Sequence, residues 1–218
     1  MKKILITAPS SPLGKFFVEY FGEKGDFLFL QYRGKHHHTV DDVLMKYRGE
    51  GFAFEFKRDN MDDWLKEIEY IEPDILVNNF GPIIYKNWET QTPEEWEEVL
   101  YYNIILPFFS TQKAVDIMKK NGYGRIVNIG FHNLKKKELY FPNVLPYAIS
   151  KFGIKIINDT LKKELKRDIT INMISPEYIE GSPLKPKNSD NGFSKKRLFE
   201  ILDIITGDNS PNGENFFI

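Results

Sequence analysis

Short runs of apolar, β-favouring residues alternate along this chain with longer segments whose apolar residues recur at helical spacing. The runs are Ile4 to Thr7, Phe27 to Tyr32, Phe52 to Phe56, Ile75 to Asn78, Arg125 to Ile129, Ile169 to Ile174 and Phe216 to Ile218. Most are continuously apolar rather than alternating, which suits strands covered on both faces. Strand, helix and strand in succession imply parallel pairing through right-handed crossovers. The expected fold is α/β, a doubly wound parallel sheet of seven strands with helices on both faces.

No Pro/Gly/Ser-rich linker divides the 218 residues, so 1–218 reads as a single domain. Thirty Lys and Arg against 31 Asp and Glu leave a net charge of -1, which gives no electrostatic reason to expect nucleic acid or an anionic membrane as partner. A small molecule is the expected partner. With no cysteine there is no disulfide, thiolate metal site or cysteine nucleophile, and a cytoplasmic location is the default. The Met1-Lys2-Lys3 start imitates a signal peptide, but Pro9 and Lys15 cut its apolar region short, and no other run is long enough to span a bilayer.

In an open parallel sheet, ligands sit beyond the carboxyl ends of the strands. After the first strand comes Thr7-Ala8-Pro9-Ser10-Ser11-Pro12-Leu13-Gly14, a tight turn opening into a helix, whose N–H groups and dipole suit a pyrophosphate. After the fourth comes Asn78-Asn79-Phe80-Gly81, and after the sixth Ser175-Pro176-Glu177. Thr92-Pro93-Glu94-Glu95 marks a helix start with an N-cap, a proline at the first position and a capping-box glutamate, and places Asn103 on or near that helix. Tyr147 and Lys151 stand four residues apart at the start of a helical stretch reaching to about Arg167, which puts phenol and ammonium on one face. A lysine there favours the phenolate and lowers the tyrosine pKa toward the range useful for proton transfer.

These ordered landmarks resemble the short-chain dehydrogenase/reductase family. Its glycine-rich turn is matched by Thr7 to Gly14, its Asn-Asn-Ala-Gly by Asn78 to Gly81, its helix asparagine by Asn103, its Tyr-x-x-x-Lys by Tyr147 and Lys151, and its Pro-Gly by Pro176-Glu177. The resemblance covers nearly the whole chain and implies a single NAD(P)-binding Rossmann domain. It implies hydride transfer between a nicotinamide and a small carbonyl or alcohol substrate. Tyr147 would be the acid, Lys151 would hold the ribose, and Asn103 would support a water relay. Thr7, Ser10, Ser11, Leu13, Gly14, Arg33, Asp59, Asn79, Gly81, Tyr147, Lys151 and Pro176 would bind the cofactor, Asp59 at its adenine end. A homodimer or homotetramer is implied, formed through the helices carrying Asn103 and Tyr147.

Several positions depart from the family pattern. Phe131 stands where the family has its catalytic serine, Ala8 and Pro12 replace glycines, and Glu177 replaces the glycine of Pro-Gly. These favour an alternative reading, a catalytically impaired member acting as a nucleotide-binding or scaffold protein. His132 and Asn133 follow Phe131 in a loop longer than usual and are candidates to supply the lost hydrogen bond. At the end of the second strand no carboxylate meets the ribose, while Arg33 with Lys35 nearby could pair a 2'-phosphate, so NADP is favoured over NAD. His36-His37-His38 reads as a loop rather than a metal site, Lys135-Lys136-Lys137 as a solvated face, and Trp88, Trp96, Tyr101 and Tyr102 as packing or interface residues of the fourth helix. Glu177 to Ser194 reads as a mobile surface segment.

Overall fold

A computed structural model of the chain describes residues 1–34, 42, 45–46, 50–56, 60–135, 140–165, 168–177 and 194–218. Its strands are β1 (Lys3–Thr7), β2 (Phe27–Tyr32), β3 (Glu50–Glu55), β4 (Ile75–Asn78), β5 (Gly124–Ile129), β6 (Ile169–Ser175) and β7 (Asn215–Phe217). The helices are α1 (Pro12–Glu23), α2 (Met61–Ile71), α3 (Pro93–Leu100), α4 (Leu106–Asn121), α5 (Leu145–Glu164) and α6 (Lys195–Thr206). All seven strands pair in parallel in the order β3-β2-β1-β4-β5-β6-β7.

Successive strand residues point to opposite faces, and both faces of the central strands are covered. Ile4 and Ile6 of β1 join Phe17, Val18, Leu198 and Ile201 beneath α1 and α6. Leu5, between them, joins Trp64, Ile68 and Met118 beneath α2 and α4. Each fully buried side chain of this kind contributes about 1.5–3 kcal/mol, so the two layers together hold the sheet. β3 lies at an edge and alternates in exposure instead, with Phe52 turned out to solvent.

The strand order reverses between β1 and β4, which opens a crevice at their carboxyl ends. Local chemistry then shapes its rim. Thr92 and Glu95 close the anticipated capping box at the start of α3. Between α3 and α4 the backbone widens to a π turn, Tyr101–Ile105, in which the Leu106 N–H reaches the Tyr101 carbonyl. Pro107 has no N–H to offer the Asn103 carbonyl four residues back, which disfavours a regular α-helical ladder at this point. α5 ends at Glu164, earlier than the expected Arg167.

Candidate active site

The first turn is tied to the end of β4 by short side chains. Thr7 Oγ1 accepts the Asn79 and Phe80 N–H groups at 2.8 and 3.0 Å and donates to the Val77 carbonyl at 3.3 Å. Asn79 Nδ2 donates to the Ala8 carbonyl and to Ser11 Oγ, at 3.0 and 2.9 Å. Ser11 Oγ also accepts the Gly14 N–H at 3.0 Å and so caps α1. Pro12 then occupies the first turn of α1, where a helix has N–H groups without intrahelical acceptors, so the missing donor breaks no helical bond.

Two glycine positions have opposite outcomes. Gly14 is required: a Cβ there would lie 2.3 Å from the Ala8 carbonyl oxygen. Ala8 has a left-handed backbone with φ of 49°, so this departure from glycine costs about 1–2 kcal/mol of backbone strain. The turn closes on one side of a cleft of about 280 Å³ lined by Ala8, Ser10, Ser11, Tyr32, Arg33, Asn79, Phe80, Gly81, Pro82 and Tyr102. Leu13 is buried in the core beneath α1, and Pro176 stands at the end of β6. Asp59 lies outside the described residues, as do Lys35, His36, His37, His38, Lys136, Lys137 and the segment 178–193.

At the other end of the crevice, Gly81 brings three elements together. A Cβ on Gly81 would lie 2.6 Å from Asn103 Oδ1 and 3.2 Å from Lys151 Nζ. Asn103 is 1% exposed; its Nδ2 donates to the Val99 and Pro82 carbonyls, while Oδ1 has no hydrogen-bond partner among the described residues. Lys151 Nζ donates to the Ile129 carbonyl at 3.0 Å and lies 5.3 Å from the centre of the Tyr147 ring. An unsatisfied buried acceptor beside a buried ammonium, with room only because residue 81 is glycine, suits a polar guest such as a ribose hydroxyl or a water.

The electrostatics differ from the sequence expectation. Burial pushes the Tyr147 phenol above its ordinary value and the Lys151 ammonium down to about 7. Both groups are almost wholly buried, and desolvation disfavours phenolate and ammonium alike, so it outweighs the lysine's pull on the phenol. The protonated phenol is the form that an acid needs.

Phe131, the residue read at the family's serine position, has only carbon to present in its side chain. Its ring meets Tyr147 edge-on at 5.5 Å and Phe141 at 5.6 Å, in a cluster with Val99, Val144 and Ala148. The His132 ring packs on Phe217, and its Nε2 lies 3.6 Å from the Glu177 carboxylate, on the β7 side of the site. Asn133 follows it in a 3-10 turn.

Arg33, expected to await a phosphate, is already engaged. Its Nη1 donates to Glu98 at 2.9 Å, and its guanidinium lies over the Tyr102 ring at 4.5 Å. Burial pulls this guanidinium's pKa down, but bonding to Tyr102 and Glu98 outweighs that and raises it overall. Glu98 and Pro82 were not legible as site residues, because only the fold brings α3 and the ends of β2 and β4 to one cleft. Tyr102 was read as a packing or interface residue; Trp88, placed with it on the fourth helix, sits in a 3-10 turn before α3 and is exposed. A buried asparagine ladder was also missed: Asn78 Nδ2 donates to Thr111 Oγ1 and Asn128 Oδ1 at 3.0 and 2.9 Å, cross-linking β4, α4 and β5.

A cavity of about 440 Å³ opens at the opposite, amino-terminal ends of the strands. Its Lys24 is consumed by Asp203 and Tyr20, and parallel sheets bind ligands at the other end. Among the described residues no cluster of three or more His, Cys, Asp or Glu could hold a metal, and no helix is long and apolar enough to cross a membrane.

Comparison with known proteins agrees with this fold. The 3-oxoacyl-[acyl-carrier-protein] reductase FabG of Buchnera aphidicola subsp. Schizaphis graminum is 30% identical over 198 residues, 86% of this chain and 77% of the relative. Among solved structures, the NADPH-dependent 3-quinuclidinone reductase from Rhodotorula rubra superposes with a TM-score of 0.82 at 16% identity, covering 100% of this chain and 89% of that one. An NAD+-bound xylitol dehydrogenase superposes with a TM-score of 0.81 at 18% identity, covering 100% and 97%. The short chain dehydrogenase family model matches residues 2–192, and the protein therefore belongs to that family of oxidoreductases.

Proposed function

We propose that the protein transfers hydride between a nicotinamide nucleotide and a small carbonyl or alcohol, with Tyr147, Lys151 and Asn103 as its working residues. The observation that carries this reading is the meeting of Lys151 Nζ and the unpartnered Asn103 Oδ1 around Gly81, one helical turn from Tyr147. The nucleotide, when bound, supplies the hydride chemistry. Thr7, Ser10, Ser11, Leu13, Gly14, Asn79 and Gly81 form or brace the bed for its phosphates and ribose, Arg33 meets its adenosine end, and Pro176 flanks the nicotinamide. The glycine-dependent approaches at Gly14 and Gly81 and the N-terminus of α1 support that assignment.

In reduction, the Tyr147 hydroxyl gives its proton to the carbonyl oxygen as that oxygen gains charge. Burial keeps the phenol protonated before the step, and Lys151 in its protonated form stabilises the phenolate afterwards. Asn103 Oδ1 orders the polar link through which solvent returns the proton. Phe131 offers the substrate oxygen no donor, and the loss of one such bond slows turnover by about 100-fold or more. Activity is thus slow rather than absent, and substrates meet a largely apolar wall of Phe131, Phe141 and Val144.

NADP is the favoured cofactor, because Arg33 closes the adenosine end and no carboxylate ends β2. Exposed Ile105 and Phe109 on the π turn and α4, with Ile149 and Ile156 on α5, support a homodimer or homotetramer built on those helices. Titration with NADPH and NADH, followed by nicotinamide fluorescence, tests the reading. Binding of at least one with turnover of a carbonyl panel is expected; binding of neither refutes it.

A further inference from the structure

Arg33 directly follows β2 and lines the cleft, where it is the cation best placed for a 2'-phosphate among the described residues. It is not held by β2 alone. Glu98 and Tyr102 are four residues apart on one helical segment, and together they grip the guanidinium, the carboxylate at one edge and the ring under one face. The Arg33 and Glu98 side chains are 44% and 36% exposed, so an incoming anion can reach the pair.

A guanidinium recognises phosphate best with two parallel N–H groups. Here Nη1 is already donated to a carboxylate, which would lie within a few ångströms of any phosphate sharing the same fork. The like charge opposes a 2'-phosphate, whereas an uncharged 2'-hydroxyl meets no such opposition and can donate to the carboxylate.

We propose that Glu98 is a specificity-determining residue that competes for Arg33 and so lowers the preference for NADP, leaving the adenosine end open to NAD as well. This rests on the nicotinamide-nucleotide reading above. The carboxylate acts from α3 across the crevice rather than from the end of β2.

The test is equilibrium binding, read by nicotinamide fluorescence at low ionic strength, of NADPH and NADH to the full chain and to Glu98→Gln. Removal of the competing charge is expected to tighten NADPH by roughly 5- to 10-fold, the scale of one partly exposed like-charge contact, and to change NADH by less than about twofold. The gain should shrink in high salt, because both side chains are solvent-accessible. In Glu98→Gln/Arg33→Met it should vanish. A Glu98→Asp variant, folded by circular dichroism, guards against a merely structural effect by keeping the charge and the wild-type ratio. NADPH binding that is unchanged or weaker in Glu98→Gln, with NADH binding intact, overturns the proposal alone. Binding of neither nucleotide to the unmodified protein overturns the nucleotide reading and the proposal with it.

Discussion

Replacing Lys151 by methionine should remove a specific pH dependence of stability. The side chain is 3% exposed, and burial lowers its pKa from 10.5 to about 7. Between those values the unfolded chain holds a proton that the folded chain lacks, so stability climbs as pH rises; below about 7 both states carry the proton and the penalty is complete. At about 1.4 kcal/mol per pH unit, this one group makes the protein roughly 3–4 kcal/mol more stable at pH 10 than at pH 7. Lys151→Met keeps most of the volume and has no proton to lose. Urea unfolding of both proteins at pH 7, 8.5 and 10 measures the difference directly, because most other titrating groups are common to the two and cancel. The stability gap should move by about 3 kcal/mol in the lysine protein's favour across that range, with the methionine variant relatively best at pH 7. Parallel pH profiles would refute the claim that the ammonium is desolvated in the folded protein.

Other outcomes follow from the same geometry. Tyr147→Phe should leave nucleotide affinity within about threefold while turnover falls by 100-fold or more, since the ring packing survives and only the proton donor goes; steady-state kinetics beside fluorescence titration separates the two. Gly81→Ala drives a Cβ to 2.6 Å from Asn103 Oδ1 and should cost about 1–3 kcal/mol of stability, seen as a lower thermal midpoint, together with weakened nucleotide binding. Phe131→Ser removes a buried ring from between Phe141 and Tyr147 and should destabilise by roughly 3–5 kcal/mol, yet raise kcat by tenfold or more by restoring a donor beside the substrate oxygen. A variant that remains folded and gains no activity would show that the serine place is not what limits turnover.

The strands were legible because short, largely apolar runs of three to six residues suit a sheet covered on both faces, and the structure covers β1 on both. The capping box at Thr92 was legible for a local reason: its partners are three residues apart. Tyr147 and Lys151 share a helix face for the same kind of reason. What failed was environment. Four-residue spacing says that an ammonium is near a phenol, but the direction of the phenol's shift depends on how much water each retains, and burial reversed it.

The sequence by itself determined the order of elements, the family and the identity of the strand-end residues, because these depend on periodicity and short spacings along the chain. Only the tertiary structure decided that Arg33 meets Glu98, that His132 lies beside Glu177, and that Asn103 Oδ1 faces Lys151 across Gly81. Each of those pairings joins residues 22 or more positions apart, so no local pattern encodes them. They arise when the sheet brings separate strand ends to one edge, and the charges and vacant hydrogen bonds gathered there are balanced through space.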